Sequence, residues 1–230
     1  MSTVHRVVES ILNQDMSFER LVLWVSREPY LLDEGVNEPT SELAELMDRD
    51  SRFQMKWTDN TGPFRKLLPS LKEYGGTVVT ADDDTLYPTN WLRGLLRLNS
   101  IFGNAVICYR GRRIPQEVSK DGGNYKQWRR YYGLLPSFQC FPTGKDGVLY
   151  PEGSVPDYAH DEKTYQKLCP KADDIWFKAV TWANGRKAYR LPTKRKDFPM
   201  CSQVDGLFES YNIEENDNQL IQTFEHFDLI

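Results

Sequence analysis

Apolar residues at Val4, Val7, Val8, Ile11 and Leu12 recur at the three- and four-residue spacing of an amphipathic helix, and the unbroken run from Leu21 to Val25 predicts a strand. A second helix starts at a Thr40-Ser41 cap and turns Leu43, Leu46 and Met47 inward, ahead of a short strand from Phe53 to Trp57. The helical pattern from Pro63 to Tyr74 contains Pro69, which lacks the amide hydrogen its turn would use, so an interruption or kink is expected there. Thr77 to Ala81, bounded by Gly75-Gly76 and by the turn residue Pro88, predicts a buried strand. A helix from about Thr89 to Phe102 and a strand from Ala105 to Tyr109 follow, and this alternation predicts an α/β sheet flanked by helices.

From Gly111 onward the pattern changes to turns and aromatics, with Trp128, Tyr131, Tyr132, Phe138 and Phe141 ahead of Gly144, Gly147 and Gly153. Aromatic, glycine-containing loops carry binding sites, and core packing is the plainer role for most of these rings. Helices are predicted again near Asp161 to Leu168, Asp173 to Ala183 and Asp217 to Phe227. No internal repeat or low-complexity segment interrupts the 230 residues, a length that buries the core of one domain. A sheet of this kind normally opens with a strand, whereas the first helix here begins within a few residues of Met1. Either the protein lacks that strand or the start has been removed; in both cases a sheet edge is expected to lie open beside the ligand cleft.

Charge narrows the function classes. With 29 Lys and Arg against 33 Asp and Glu, the net charge of −4 offers no broad basic face, which argues against nucleic acid as the main partner. The local clusters Arg110, Arg112, Arg113 and Lys194, Arg195, Lys196 read first as solvated loop ends, and either could reach a diphosphate or make a peripheral contact with an anionic membrane surface. The four cysteines, Cys108, Cys140, Cys169 and Cys201, form no CxxC pair, which argues against a zinc site and fits a reducing compartment. His5, His160 and His226 have no ligand spacing. No charged-then-apolar leader and no stretch long enough to cross a bilayer is read, so a cytoplasmic location is expected, peripheral at the inner face of the membrane at most.

The run Asp82, Asp83, Asp84 falls at the carboxyl end of the predicted strand 77–81, the end at which α/β sheets bind ligands. Two carboxylates about 5 Å apart at an effective dielectric of about 20 repel by roughly 3 kcal/mol. Three in a cleft favour shared protons or a hard divalent cation, Mg²⁺ or Mn²⁺. The plain alternative is a solvated acidic turn. Asp173 and Asp174 open an apolar helical stretch, where an aspartate is a good N-cap. One of the two is read as that cap, and the other as free to serve as a general base.

Several separated segments resemble one family. Ser10 to Gln14 followed by Leu23 to Ser26, the stretch Asp59, Asn60, Thr61, Gly62, Pro63, Phe64, Arg65, Lys66, Leu67, the DxD-like Asp82 to Asp84, the turn Gly144 to Gly147 before Leu149, Tyr150, Pro151, and Ala172 to Phe177 are similar, in this order, to the motifs of nucleotide-sugar glycosyltransferases of the GT-A fold. The likeness is to the family-2-like kind found in bacterial surface-polysaccharide clusters. It covers nearly the whole chain except the first strand.

The resemblance implies one GT-A-like domain over 1–230, with a nucleotide-binding half at 1–110 and an acceptor-binding half at 111–230. It implies metal-dependent transfer of a hexosyl-type sugar from a nucleotide-sugar donor, a UDP-sugar, to a carbohydrate or lipid-linked glycan acceptor in surface polysaccharide or lipopolysaccharide synthesis. Asp84 becomes the leading ligand of Mn²⁺ or Mg²⁺, with Asp82 a second ligand or the ribose contact. Asp83 belongs to the same donor site, or satisfies local backbone donors from the other face of the strand. Asp59 and Lys66 flank the nucleotide, and Asp174 is the general base of an inverting displacement, which leaves Asp173 as the N-cap. Asp173, Trp128 and Trp176 are placed at the acceptor, with Trp182 a further candidate, because aromatic rings cover the apolar faces of sugars. Two other readings of the acidic cluster stay open: a non-catalytic nucleotide-sugar or glycan-binding remnant, and a metal-dependent phosphoester hydrolase.

Overall fold

The structure is a computed structural model that describes residues 3–31, 33–115, 127–193, 197–201 and 215–230. The basic cluster Lys194 to Lys196 lies outside the described residues.

The chain builds an α/β layer structure from short elements. Helix α1 (Val4–Leu12) leads to β1 (Leu21–Val25), α2 (Ser41–Arg49) and β2 (Phe53–Trp57), which pairs with β1 in parallel with Leu21 opposite Phe53. The α2 start is capped as its sequence predicts, Thr40 Oγ1 accepting from the Leu43 amide at 3.4 Å. Val4, Val8 and Leu12 of α1 pack with Leu43 and Leu46 of α2 against Val25, Phe53 and Met55, so both helices cover one face of this pair.

The interruption expected at Pro69 is a division into two pieces. A 3₁₀ turn over Gly62–Lys66 precedes α3 (Leu68–Tyr74), with Pro69 in the first helical turn, where its missing amide costs no hydrogen bond. Phe64 is fully buried and stacks on Tyr165 at 4.1 Å, which anchors the turn that carries Lys66.

The main sheet has the order β3 (Val78–Thr80), β7 (Val148–Tyr150), β4 (Val106–Cys108), β8 (Ala188–Arg190). Strand β7 is antiparallel to both neighbours, whereas β4 and β8 are parallel. Between them run α4 (Trp91–Phe102), the two-stranded ladder of β5 (Gly111–Arg113) with β6 (Cys140–Pro142), α5 (Glu162–Leu168) and α6 (Asp173–Ala183); α7 (Glu215–His226) closes the described chain. Helix α6 is buried along most of its length and forms the centre of the largest core with Phe141, Val148, Leu220 and Phe224. The turn into β7 needs its glycine: Gly147 has φ +100°, and a Cβ there would lie 2.6 Å from the Trp91 ring, whose Nε1 donates to Asp146 O at 2.8 Å.

Among the described residues β1–β2 is a sheet separate from the four-stranded one, and β1 and β3 are edge strands. The four cysteines are free thiols. No helix among the described residues is long and apolar enough to cross a membrane.

Candidate active site

Three strands deliver their carboxyl ends to one cleft. Val25 lines it at the end of β1, residues of the turn Asn60 to Lys66 after β2, and the run Asp82 to Asp84 after β3. The cleft has a volume of about 2040 Å³, and Asn60, Lys66, Asp82, Asp84, Gly144 and Asp174 are among its walls.

Lys66 is the hub. Its Nζ lies 3.3 Å from Asp82 Oδ1 and 3.1 Å from Asp173 Oδ2. Burial works against its charge, but Asp173, Asp82 and Asp174 outweigh burial and hold the ammonium well above the ordinary lysine range. Asp174 reaches the same spot from the next helical position, its Oδ1 accepting from the Gly144 amide at 2.9 Å. A methyl group on Gly144 would come within 2.8 Å of Lys66 Nζ and 3.1 Å of Asp174 Oδ1, so the backbone of the 144–147 turn forms the floor beneath the charges.

The paired aspartates carry the electrostatic character of the site. Burial first and the neighbouring Asp173 second push the Asp174 carboxyl up to about 7, against the opposing pull of Lys66 and the Gly144 amide. Asp173 is only 7% exposed, and burial raises its carboxyl as well, with Lys66 working the other way. The expected N-cap role of Asp173 is corrected here. The cap position is Ala172, Asp173 is the first helical residue, and its side chain turns to Lys66. Both carboxylates still lie in the first turn, where the helix dipole favours negative charge.

At the end of β3, the Asp82 amide donates to Tyr87 Oη at 2.8 Å, and Asp84 Oδ1 accepts from the Thr85 hydroxyl at 2.9 Å. The Cys201 amide donates to Asp84 O at 2.7 Å, so the segment 197–201 packs along this turn. Asp83 is exposed and lines the cleft at its rim. Among the described residues no three His, Cys, Asp or Glu side chains gather as a metal cluster. The donors present are of the hard oxygen kind, and Asp84 keeps a second carboxylate oxygen beside the one that Thr85 engages. A Mg²⁺ or Mn²⁺ ion that takes one or two carboxylates and fills its shell with phosphate oxygens and water fits this donor set.

The structure does not bring the remaining candidates together. Asp59 is exposed and lies outside the cleft walls, which its neighbour Asn60 joins instead. Trp176 is 1% exposed, its Nε1 donating to Ala159 O at 3.0 Å inside the core, and Trp128 is buried edge-on against Phe141. Neither ring can lie on an acceptor; both expectations are corrected, because each indole fills the main core. Trp182 is half-buried between Phe138 and Phe224. Arg110 and Arg112 do line the cleft, and Arg110 faces Asp197 at 3.8 Å.

Two features went unread in the sequence. One is the Gly144 amide as a partner of Asp174. The other is a polar cluster at the β1 end, where Arg65 donates to Ser26 Oγ at 2.7 Å and Asn60 Oδ1 at 3.1 Å and is paired with Asp33. A glycine at the start of a turn and an arginine beside Lys66 were the available signals, and neither names a partner.

The sequence matches no family model and no curated protein. The functional reading therefore rests on the cleft and its chemistry.

Proposed function

We propose that the cleft binds a nucleoside diphosphate-sugar, taken as a UDP-sugar, and transfers its sugar with inversion to a hydroxyl of a carbohydrate or lipid-linked glycan, on a GT-A-like domain. The observation that carries this reading is the Asp174 carboxyl, half-buried in the same cleft as the acidic end of β3, held by the Gly144 amide and pushed up to about 7. A carboxylate that is ionised near neutral pH yet still basic suits proton removal from a hydroxyl.

With Asp174 Oδ1 held by the Gly144 amide, Oδ2 is the atom that takes the proton. As the acceptor O–H bond breaks, its oxygen forms the new bond to the anomeric carbon, and the bond from that carbon to the diphosphate oxygen breaks on the opposite face. The electron pair leaves with the nucleoside diphosphate. A Mg²⁺ or Mn²⁺ ion held by Asp84 and Asp82 would neutralise charge on that leaving group. Lys66 positions Asp82 and Asp173 and keeps positive charge at the meeting point of donor and acceptor sides.

The test is acceptor-dependent release of UDP from a panel of UDP-sugars in the presence of Mn²⁺. Asp84→Ala is expected to lose metal-dependent donor affinity in calorimetry with an unchanged fold. Asp174→Asn is expected to keep donor affinity and lose transfer by about 10²-fold or more. Donor binding without transfer to any acceptor would favour a binding module, and phosphate release that ignores the acceptor would favour a phosphoester hydrolase.

A further inference from the structure

The strand order puts unlike charges on the two sides of one turn. Strand β7 lies between β3 and β4 and runs against both, with Val148 opposite Thr80 on one side and Cys108 on the other. The turn 144–147 that feeds β7 therefore meets the carboxyl ends of both neighbours. On the β3 side stand Asp82, Asp83 and Asp84. On the β4 side stands Arg110, clipped to the turn through the backbone: Arg110 O accepts from the Thr143 amide at 3.1 Å, and Tyr109 N–H donates to Gly147 O at 3.3 Å.

Asp174 sits over the turn itself. Its Oδ1 is held by the Gly144 amide, and a Cβ on that glycine would stand 3.9 Å from Asp82 Oδ1. The next residue, Lys145, lines the cleft, as do Arg110 and Arg112, and all three are half-buried. An acceptor that offers a hydroxyl to Asp174 brings its other substituents to this wall.

Among the described residues the wall carries more positive than negative charge. The carboxylate partner of Arg110 is Asp197, at 3.8 Å, and Arg130 takes the same carboxylate more closely, at 2.7 Å. Arg112 Nη1 donates to Trp128 O at 3.0 Å, which fixes its arm. Lys145 Nζ meets the Met200 sulfur at 3.6 Å, a weak acceptor. The turn's own carboxylate, Asp146, is absent from the cleft walls: it is 5% exposed, and its Oδ1 accepts from the Phe198 amide at 3.1 Å.

On the acidic side, a metal ion and Lys66 would meet the charge of a donor diphosphate. A neutral sugar hydroxyl needs a base and no cation. Positive charge on the far side of the base suits an acceptor that brings negative charge of its own. An arginine fork with a lysine point charge matches the oxygens of a phosphate or a carboxylate.

We propose that Arg110 and Lys145 form an anion subsite for the acceptor, so that the molecule presenting its hydroxyl to Asp174 is a sugar bearing a phosphate or carboxylate group. This rests on the reading of the cleft as a site of glycosyl transfer. Arg112 adds positive charge to the same wall, and Asp197 limits it. The anion fixes where the acceptor lies, and Asp174 then meets only the hydroxyl that this position allows.

The test is calorimetry on the full chain saturated with UDP and Mn²⁺, into which glucose 6-phosphate, glucuronate and glucose are titrated at low and high salt. At least one charged sugar is expected to bind about tenfold or more tighter than glucose, with the advantage shrinking in salt, and the stronger of the two tells a phosphate site from a carboxylate site. Arg110→Gln and Lys145→Gln are each expected to weaken that sugar by about fivefold and to leave UDP affinity as it was. Asp197→Asn, which removes the carboxylate from the wall, is expected to strengthen it, a sign that a loosened fold would not give. Equal affinity for glucose and the charged sugars would overturn the proposal. So would variants that weaken UDP as much as the sugar, a result that assigns the cations to the donor diphosphate. If UDP and Mn²⁺ do not bind at all, the transfer reading fails and the acceptor role with it, while the same titration without nucleotide decides whether the anion site exists.

Discussion

Lys66 Nζ lies 3.1 Å from Asp173 Oδ2, and this contact joins the two halves of the site. One partner sits on a 3₁₀ turn after β2, the other on the first turn of α6. The same ammonium holds Asp82 at 3.3 Å, so a single cation separates three carboxylates that would otherwise repel.

Replacing that cation with an apolar side chain, Lys66→Met, leaves Asp82, Asp173 and Asp174 unopposed. Lys66 and Asp82 are each 27% exposed, so the loss is expected to be about 1–3 kcal/mol, below that of a fully buried pair. The loss is expected to be larger at pH 8, where the carboxylates are ionised, than at pH 5. Melting curves at the two pH values check the sign.

Asp174 sets a pH dependence of its own. Its carboxyl is raised from an unfolded value of 3.8 to about 7, so the folded state holds a proton that the unfolded state has released. Stability in that group is full below about pH 4 and is lost as pH rises through about 7. Asp174→Asn is expected to flatten this slope between pH 4 and 7 and to melt higher than the parent at pH 8. Transfer by the parent protein is expected to rise with pH through the same region, because only the ionised carboxylate accepts a proton. A pH profile with no such limb would move the base elsewhere.

Gly144→Ala tests the floor of the site. The added methyl meets Lys66 Nζ and Asp174 Oδ1 rather than core atoms, and the flexible end of a lysine moves cheaply. Melting temperature is expected to change little, while donor affinity or transfer falls by about tenfold or more, on the scale that misplacement by about 1 Å produces. Calorimetry and turnover on the same preparation separate the two.

Lys178 offers a stabilising substitution away from the site. It is 2% exposed on α6, its Nζ has no hydrogen-bond partner among the described residues, and it stands 4.8 Å from the centre of the Trp182 ring. Burial pushes its ammonium down to about 7. The folded state therefore loses stability as pH falls from about 10.5 towards 7, because the unfolded chain takes up a proton that the folded one resists. Lys178→Met keeps the volume without the charge. It is expected to gain about 1–4 kcal/mol at pH 7 and to remove that slope, as measured by denaturant unfolding at pH 7 and pH 10.

Elements whose signal is local were legible in the residues alone. Helix α1 and strands β1 and β2 start and stop where their periodicity does, and the Thr40 cap and the acidic run at the end of β3 needed no partner to be recognised. Strands β5 to β8, three residues each, were not, because so short a strand exists only through the ladder beside it. The same limit governed the site. Lys66, Asp82, Asp173 and Asp174 could be named as candidates, but their distances depend on how three separate segments pack, and the raised carboxyl of Asp174 depends on burial that no local pattern encodes. Trp128 and Trp176 show the converse: an indole ring has the same composition in a binding cleft and in a core, and only packing against Phe141 and around Ala159 decided which.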